Sequence, residues 1–180
     1  MAIAIVMPEN TLPLELDTQV GAATRMDEES FRAFYDRTAR PVWAYLVRIT
    51  GDSQLADDLL QETYYRFYRA GSTYESESHR RNSLFRIATN LARDAGRRRR
   101  RGIDVPLAED TKVIDARPDE RADLTRALGK LKPLQREILW LAYGQGSSHA
   151  EIAEIVGVSS KSIKSLLFRA RRKLGEFLRG

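Results

Sequence analysis

Residues 148–173 read SHAEIAEIVGVSSKSIKSLLFRARRK, and this stretch decides how the fold is interpreted. Ser148 and Glu151 have the spacing of a capping box, which begins a helix by satisfying its first backbone N–H groups. Gly157 follows a short apolar segment and suits a tight turn, because glycine tolerates positive φ. Ser159 is placed to cap a second helix. The pattern therefore predicts a helix-turn-helix.

The second of these predicted helices has one apolar side and one cationic side. Ile163, Leu166, Ala170 and Leu174 recur on the apolar side. No acidic residue occurs from Lys161 to Lys173. Such a helix suits the major groove of DNA, where its first half reaches base edges and later residues hold phosphates. From the residues alone, the alternative is a solvated basic helix in an ordinary bundle.

The remaining sequence also favours helices, because apolar residues recur at helical spacing and alternating β-branched runs are scarce. The expected fold class is all-α, and the polar, turn-rich segment 71–81 is predicted to be a loop. Helices are predicted at residues 29–38 and 41–50 (one broken or two adjacent), 54–69, 82–100, 119–131, 133–143, 148–156 and 159–178.

The chain divides into two predicted helical domains with flexible flanks. Residues 1–25 lack sustained periodicity and are expected to be a disordered extension. Residues 26–101 form the first domain, which ends in five consecutive arginines, Arg97–Arg101. Residues 102–117 break the periodicity and carry four acidic residues, as a flexible linker does. Residues 118–180 form the second domain, which contains the helix-turn-helix.

Composition excludes several classes of function. The 180 residues carry 30 Lys and Arg against 25 Asp and Glu, a net charge of +5, which is weak support for a polyanionic partner. There is no cysteine, so disulfides and thiolate-ligated metals are excluded. The two histidines, His79 and His149, are far apart, and no metal or cofactor is expected. No catalytic motif is recognisable, so we expect no enzyme.

The same inspection predicts a cytoplasmic protein without membrane insertion. The apolar run at residues 2–7 is too short for a secretion signal. No stretch approaches the roughly 20 apolar residues that span a bilayer.

Residues 55–69, LADDLLQETYYRFYR, carry the most specific motif of the first domain. An apolar residue or Thr63 recurs every fourth position from Leu55 to Phe67, which predicts a buried stripe. The acidic residues fall off this stripe and are expected to be exposed. The segment strongly resembles the helix with which sigma factors of the sigma-70 superfamily bind core RNA polymerase.

Other segments resemble the same family in the same order. Residues 31–35 resemble the opening helix of sigma domain 2, and residues 84–94 resemble the helix that handles the promoter −10 element. Residues 151–158 and 163–174 resemble the −35-reading part of sigma domain 4. The resemblance covers about residues 27–178. A short linker replaces the middle domain, which points to the extracytoplasmic-function (ECF, group IV) sigma factors.

The resemblance implies a non-catalytic subunit that binds core RNA polymerase and promoter DNA. The implied polymerase-binding residues are Asp57, Asp58, Gln61 and Glu62. The implied −10 contacts are Tyr74, Arg80, Arg81, Arg86, Asn90, Arg93, Arg97 and Arg98. The implied −35 contacts are Lys161, Ser162, Lys164, Ser165, Phe168, Arg169 and Arg172, of which Phe168 is equally interpretable as a core residue.

Three points stay open at this level. Ser83 stands where many relatives carry tryptophan, so DNA melting relies on another aromatic, such as Tyr74 or Phe85, or is weaker. Relatives often have an anti-sigma partner, and no residue identifies one here. The competing hypothesis is a stand-alone helix-turn-helix regulator, which leaves the acidic helix at residues 54–69 unexplained.

Overall fold

The computed structural model describes residues 26–102 and 118–179, and every regular element in these ranges is helical. This confirms the all-α expectation. The helices are α1 Glu28–Thr50, α2 Ser53–Ala70, α3 Glu77–Arg100, α4 Pro118–Gly129, α5 Pro133–Leu139, α6 His149–Val156 and α7 Ser160–Leu178. The predicted extension (1–25) and all of the predicted linker except Gly102 lie outside the described residues.

Helix α1 is a single helix that runs through Pro41, where the sequence left open a broken helix or two adjacent ones. Asp27 begins it by accepting a hydrogen bond from the Ser30 N–H at 2.7 Å. Val42 and Leu46 are fully buried. Their packing keeps the second half of the helix in line although proline removes one backbone hydrogen bond.

Helix α3 begins at Glu77, so the prediction of a loop over residues 71–81 is wrong for its second half. Ser76 caps the helix by accepting a hydrogen bond from the His79 N–H at 3.1 Å. Glu77 lies in the first turn, where the helix dipole favours a negative charge. Because Glu77 and Ser78 are exposed and polar, apolar periodicity could not reveal this turn.

Helices α1, α2 and α3 pack around an aromatic-rich core. The rings of Phe34 and Phe67 stack with their centroids 5.2 Å apart. The predicted stripe of α2 is confirmed as buried at Leu59, Thr63 and Phe67. Its first member, Leu55, is half-buried. This core fixes α2 so that the opposite side of the helix faces outward.

The helix-turn-helix of the second domain is confirmed in detail. Ser148 Oγ accepts a hydrogen bond from the Glu151 N–H at 3.3 Å, and Glu151 Oε2 accepts one from the Ser148 N–H at 2.8 Å. Gly157 ends α6 with φ of 74°. Ser159 occupies the cap position of α7, but its side chain makes no capping hydrogen bond. Ile152 lies fully buried in the core that α6 shares with α7.

The two domains touch. Helix α6 packs on α3, and α5 contacts α1.

The predicted helix at 133–143 is α-helical only to Leu139, and a π-helical turn, Trp140–Gly144, completes it. In that turn the Gln145 N–H donates to the Trp140 carbonyl at 3.0 Å. None of the helices that the structure describes is both long and apolar enough to cross a membrane.

Candidate nucleic-acid interface

Helix α7 presents a cationic outer face. Ile163, Leu167 and Ala170 are buried, which fixes the orientation of the helix. The residues predicted to read DNA then fall on the outside: Lys161, Lys164, Ser165, Phe168, Arg169 and Arg172 are exposed, and Ser162 is half-buried. Phe168 is 65% exposed, so its interpretation as a core residue is wrong.

Charge on this face is unopposed over its first three turns. Arg169 Nε donates to the Ser165 carbonyl at 3.4 Å and makes no ion pair with any described residue. Glu176 lies near the end of the helix and pairs with Arg172 at 3.6 Å and with Lys173 at 3.0 Å. The N-terminal half of α7 therefore keeps the cations that a polyanion requires.

Helix α2 carries the predicted acidic face opposite its buried stripe. Asp57, Asp58 and Gln61 are exposed, and Glu62 is half-buried. These side chains differ in whether their oxygens already accept hydrogen bonds. Asp57 accepts a hydrogen bond from the Trp43 indole at 2.7 Å, and Glu62 accepts one from Arg66 at 2.6 Å.

Asp58 and Gln61 make no hydrogen bond or ion pair within residues 26–102 and 118–179. They are the members of the acidic face with unused acceptors. A carboxylate and an amide oxygen in this state are able to receive charge-assisted hydrogen bonds from a basic partner.

Helix α3 exposes part of its predicted DNA face. Arg86, Asn90, Arg97 and Arg98 are exposed, and Arg97 pairs with Asp94 on its own helix. Asn90 keeps its amide unpaired within the described chain. The C-terminal turn of the helix is entirely cationic. Cations are favoured there because the dipole makes that end negative.

The loop before α3 is held against the core rather than extended into solvent. Tyr74 stacks on Phe67 with ring centroids 5.3 Å apart and an interplanar angle of 9°. The Arg80 guanidinium lies 5.9 Å from the Tyr74 ring and pairs with Glu77 at 3.2 Å. Of the two aromatics considered for melting, Phe85 is 2% exposed, and Tyr74 is the one that reaches the surface.

Two predicted DNA contacts, Arg81 and Arg93, contact the second domain and are only partly exposed to solvent. Arg93 makes a bidentate pair with Glu137, at 2.6 Å from Nη2 and 3.1 Å from Nε. Its remaining nitrogen, Nη1, donates to the Val156 carbonyl at 3.1 Å. These hydrogen bonds to Glu137 raise the pKa of Arg93 above its usual value. Arg81 lies 3.6 Å from Glu151.

Sequence reasoning missed the acceptors on the other side of this junction. Glu137 is 2% exposed, and Glu154 accepts a hydrogen bond from the Asn82 amide at 3.0 Å. Neither position follows from helical periodicity. In the part of the chain that the structure describes, no cluster of three or more His, Cys, Asp or Glu residues is arranged to hold a metal ion.

Comparison with protein families matches both domains. Residues 34–102 match the model for sigma-70 region 2, and residues 121–174 match the model for sigma-70 region 4. A region 2 helix bundle followed by a region 4 helix-turn-helix defines a sigma-70-type promoter-recognition factor.

Individual relatives identify the group of sigma factors to which this chain belongs. The chain is 34% identical over 140 residues to the ECF RNA polymerase sigma factor EcfG of Rhodopseudomonas palustris (strain TIE-1), covering 75% of this chain and 77% of the relative. It is 33% identical over 157 residues to CarQ of Myxococcus xanthus, covering 84% and 90%. The protein belongs to the ECF family of RNA polymerase sigma factors, and its function is promoter recognition in transcription initiation.

Solved structures agree with this fold. The chain is similar to the sigma factor RpoE in its complex with the anti-sigma factor NepR from Bartonella quintana, with a TM-score of 0.70, 24% identity, and coverage of 84% of this chain and 98% of that one. It is also similar to CnrH in complex with the cytosolic domain of CnrY, with a TM-score of 0.66, 27% identity, and coverage of 87% and 92%.

Proposed function

We propose that three faces of this chain each bind a different partner during transcription initiation. Helix α2 binds core RNA polymerase, α3 with its preceding loop binds the −10 element, and α7 reads the −35 element. In this scheme residues 26–101 and 118–180 act as separate DNA-binding domains that residues 102–117 connect. The chain contributes binding and positioning, and the polymerase performs the chemistry.

The α2 face would bind a basic surface of the polymerase. Asp58 and Gln61 have unused acceptors, and Asp57 and Glu62 are held in place by Trp43 and Arg66. Charge-assisted hydrogen bonds to arginine or lysine are stronger than neutral ones. Such a face would give a specific contact that weakens with salt.

The α3 face would hold the −10 element. Asn90 is an exposed amide able to pair with a base edge. Tyr74 offers a ring on which an unstacked base can lie, and the cationic end of α3 neutralises phosphates. Arg80, which packs between Tyr74 and Phe34, would support this loop.

The α7 face would enter the major groove at the −35 element. Lys161, Ser162, Lys164 and Ser165 lie in the first two turns, from which side chains reach base edges. Arg169 and Arg172 would hold phosphates, and Phe168 would contact a thymine methyl group or the sugar backbone.

One observation supports the proposal over a stand-alone regulator. The same chain carries unused acceptors at Asp58 and Gln61 and an acid-free recognition helix on α7. A regulator that acts on DNA alone has no use for an exposed acidic helix, because that helix repels phosphates. A second protein with a basic surface accounts for it.

Two partners and a location complete the proposal. The chain would bind core RNA polymerase and promoter DNA in the cytoplasm, where both are found, and associate with the nucleoid when bound to polymerase. RpoE and CnrH were solved in complexes with NepR and CnrY, the first of which is an anti-sigma factor. A protein of this kind is a further proposed partner here.

The test is run-off transcription with bacterial core polymerase on a library of random promoters. The proposal expects transcripts with defined start sites that share two sequence elements, and none from core enzyme alone. A footprint on the selected promoters should require core polymerase. Defined footprints by the purified chain alone, as a dimer and without transcripts, would support the stand-alone regulator instead.

A further inference from the structure

A cavity of about 590 Å³ lies where the last turns of α3 meet the start of α5 and the end of α6. Its floor is apolar, with Leu55, Ala92, Ala95 and Val156 among the lining residues, and the last three of these are buried. Thr50 is the one uncharged polar side chain among the described residues that line it. A cavity of this size with mainly apolar walls and a few polar groups is the usual form of a small-molecule site.

The mouth of the cavity is cationic. One acidic residue lines the cavity, Glu137, and six basic ones do: Arg93, Arg97, Arg99, Arg100, Lys132 and Arg136. Glu137 is already occupied, because Arg93 binds it through two hydrogen bonds. Arg97 pairs with Asp94 on its own helix. The other four form no ion pair within the described ranges, and we call Arg99, Arg100, Lys132 and Arg136 the cationic rim.

Arg136 is the member of the cationic rim with the greatest need of an anion. Its side chain is half-buried, and its Nε is shielded from solvent without a hydrogen-bond acceptor among the described residues. Burial lowers the pKa of Arg136 below its usual value, although the charge of Glu137 opposes this effect. A guanidinium withdrawn from water is costly unless an anion accepts its hydrogen bonds. An anion bound at the cationic rim would supply that acceptor.

The arrangement of charge and apolar surface selects the class of ligand. A single carboxylate would satisfy one of the four unpaired cations, whereas a chain of phosphates contacts several of them at once. The planar guanidinium suits phosphate oxygens, because it donates two parallel hydrogen bonds to them. The apolar floor suits a flat ring carried by the same molecule, because burying that ring removes apolar surface from water.

We propose that this cavity binds a nucleoside polyphosphate, with its phosphates on the cationic rim and its base on the apolar floor. Thr50 alone offers a polar side-chain atom on the floor, so binding should discriminate little between adenine and guanine. Lys132 and Arg136 lie outside the three faces proposed to bind polymerase and promoter DNA. The site therefore does not require that the chain initiate transcription.

The first arm of the test measures the affinity of the full-length chain for ATP and GTP by isothermal titration calorimetry. Mg²⁺ is left out, so that the phosphate charges stay unmasked. Arg136→Gln should weaken binding of ATP about tenfold, because it removes one charge-assisted contact. The charge-matched control, Arg40→Gln, changes an exposed arginine on α1 without described partners and should leave the affinity unchanged.

The second arm fills the floor of the cavity. Gly96 lines the cavity within α3, and a Cβ added there meets no atom within 4 Å outside its own helical turns. Leucine favours a helix more than glycine does, so Gly96→Leu should fold. Its side chain would take the space of the base and should weaken binding of ATP about tenfold or more. Gly129→Leu, the same change at an exposed helical position outside the cavity, should have no effect.

The third arm separates the base from the phosphates. Inorganic tripolyphosphate carries the phosphate charges without a ring, so it should bind more weakly than ATP and should lose affinity with Arg136→Gln. Thermal unfolding gives an independent readout, because a ligand that binds the folded chain raises its unfolding temperature. ATP should raise this temperature in the wild type and less in Arg136→Gln.

Three outcomes would overturn the proposal. They are an absence of binding by both nucleotides in calorimetry and thermal unfolding, equal losses for Arg136→Gln and Arg40→Gln, and wild-type affinity in Gly96→Leu. Tripolyphosphate that binds as tightly as ATP would also refute it, because the base would then contribute nothing. If Gly96→Leu fails to fold, Lys132→Gln replaces it, since Lys132 is exposed and its loss should weaken binding while leaving the fold intact.

Discussion

At the scale of single residues, Tyr45 shows how burial fixes a protonation state. Its hydroxyl hydrogen bonds to Thr89 at 2.7 Å, and its side chain is fully buried. Burial raises the pKa of Tyr45 well above its usual value of 10.0, and the negative charge of Glu137 adds to this effect. The folded chain therefore keeps the phenol proton at alkaline pH.

The raised pKa of Tyr45 predicts that the folded chain loses stability in alkali. Above pH 10 the unfolded chain releases the Tyr45 proton and the folded chain does not, so the free energy of unfolding falls as pH rises. One such group contributes a slope of up to about 1.4 kcal/mol per pH unit. Tyr45→Phe should reduce this slope in urea denaturation between pH 9 and pH 11, whereas Tyr143→Phe, at a site that is 64% exposed, should not. Equal slopes in all three proteins would contradict the assignment.

The sequence predicted whether a side chain is buried or exposed where the apolar stripe of a helix fixes its direction. Asn90 and Arg86 lie outside as expected, because the buried stripe of α3 fixes their direction. The sequence did not decide whether Phe168 is buried or exposed, because an aromatic ring beside the apolar stripe of a helix suits the core as well as the surface. It did not predict that Arg93 faces Glu137, because that pairing depends on how two domains meet and not on either helix alone.

At the scale of elements, helix ends carry strong sequence signals when a cap is present. Ser148, Glu151 and Gly157 marked α6 correctly, since each supplies a specific backbone hydrogen bond or dihedral angle. The first turn of α3 was missed because Ser76 caps a turn of exposed polar residues. The π-helical turn after Leu139 has no sequence signature of its own.

Two glycines of the helix-turn-helix should respond oppositely to alanine. Gly157→Ala places a side chain at φ of 74°, a left-handed conformation that costs an L-residue about 1 to 2 kcal/mol. Gly175→Ala lies inside α7 and meets only the end of Arg179 at 4.0 Å, so it should stabilise by about 0.5 to 1 kcal/mol. Thermal unfolding of both variants tests the pair; stabilisation by Gly157→Ala would refute the turn geometry.

The acidic face of α2 gives a direct test of polymerase binding. Asp58→Arg reverses the charge of an unpaired carboxylate and should weaken affinity for core polymerase by about tenfold or more, as loss of a charge-assisted contact does. Asp36→Arg makes the same charge change at an exposed position on α1 without described partners. Fluorescence titration with labelled chain should show the loss for Asp58→Arg only. Equal affinities for the two variants would remove α2 from the interface.

At the scale of the whole molecule, sequence predicted the content of each domain and not their contact. Periodicity and capping are local, and they describe helices that pack within one unit. The junction combines apolar residues of both domains with polar pairs far apart in sequence, such as Ser78 with Glu151 and Asn82 with Glu154. The predicted acidic linker at residues 102–117 falls outside the described residues apart from Gly102.

The proposed function requires that this chain direct polymerase to promoters through separable contacts at two elements. Its most direct test is quantitative run-off transcription by holoenzyme carrying wild-type chain or Arg169→Glu, on a promoter selected from the library and on the same promoter with its −35 element scrambled. Arg40→Glu, at an exposed position on α1 without described partners, is the charge-matched control.

Loss of a specific contact at the −35 element should lower the yield from the intact promoter about tenfold, the equivalent of roughly 1.4 kcal/mol. We expect that Arg169→Glu causes no further loss of yield on the scrambled promoter, because the contact it removes is already absent there. Arg40→Glu should match wild type on both templates. The same relative loss of transcript yield for Arg169→Glu on both promoters would contradict the proposed function. So would a failure of the wild-type holoenzyme to initiate on either promoter.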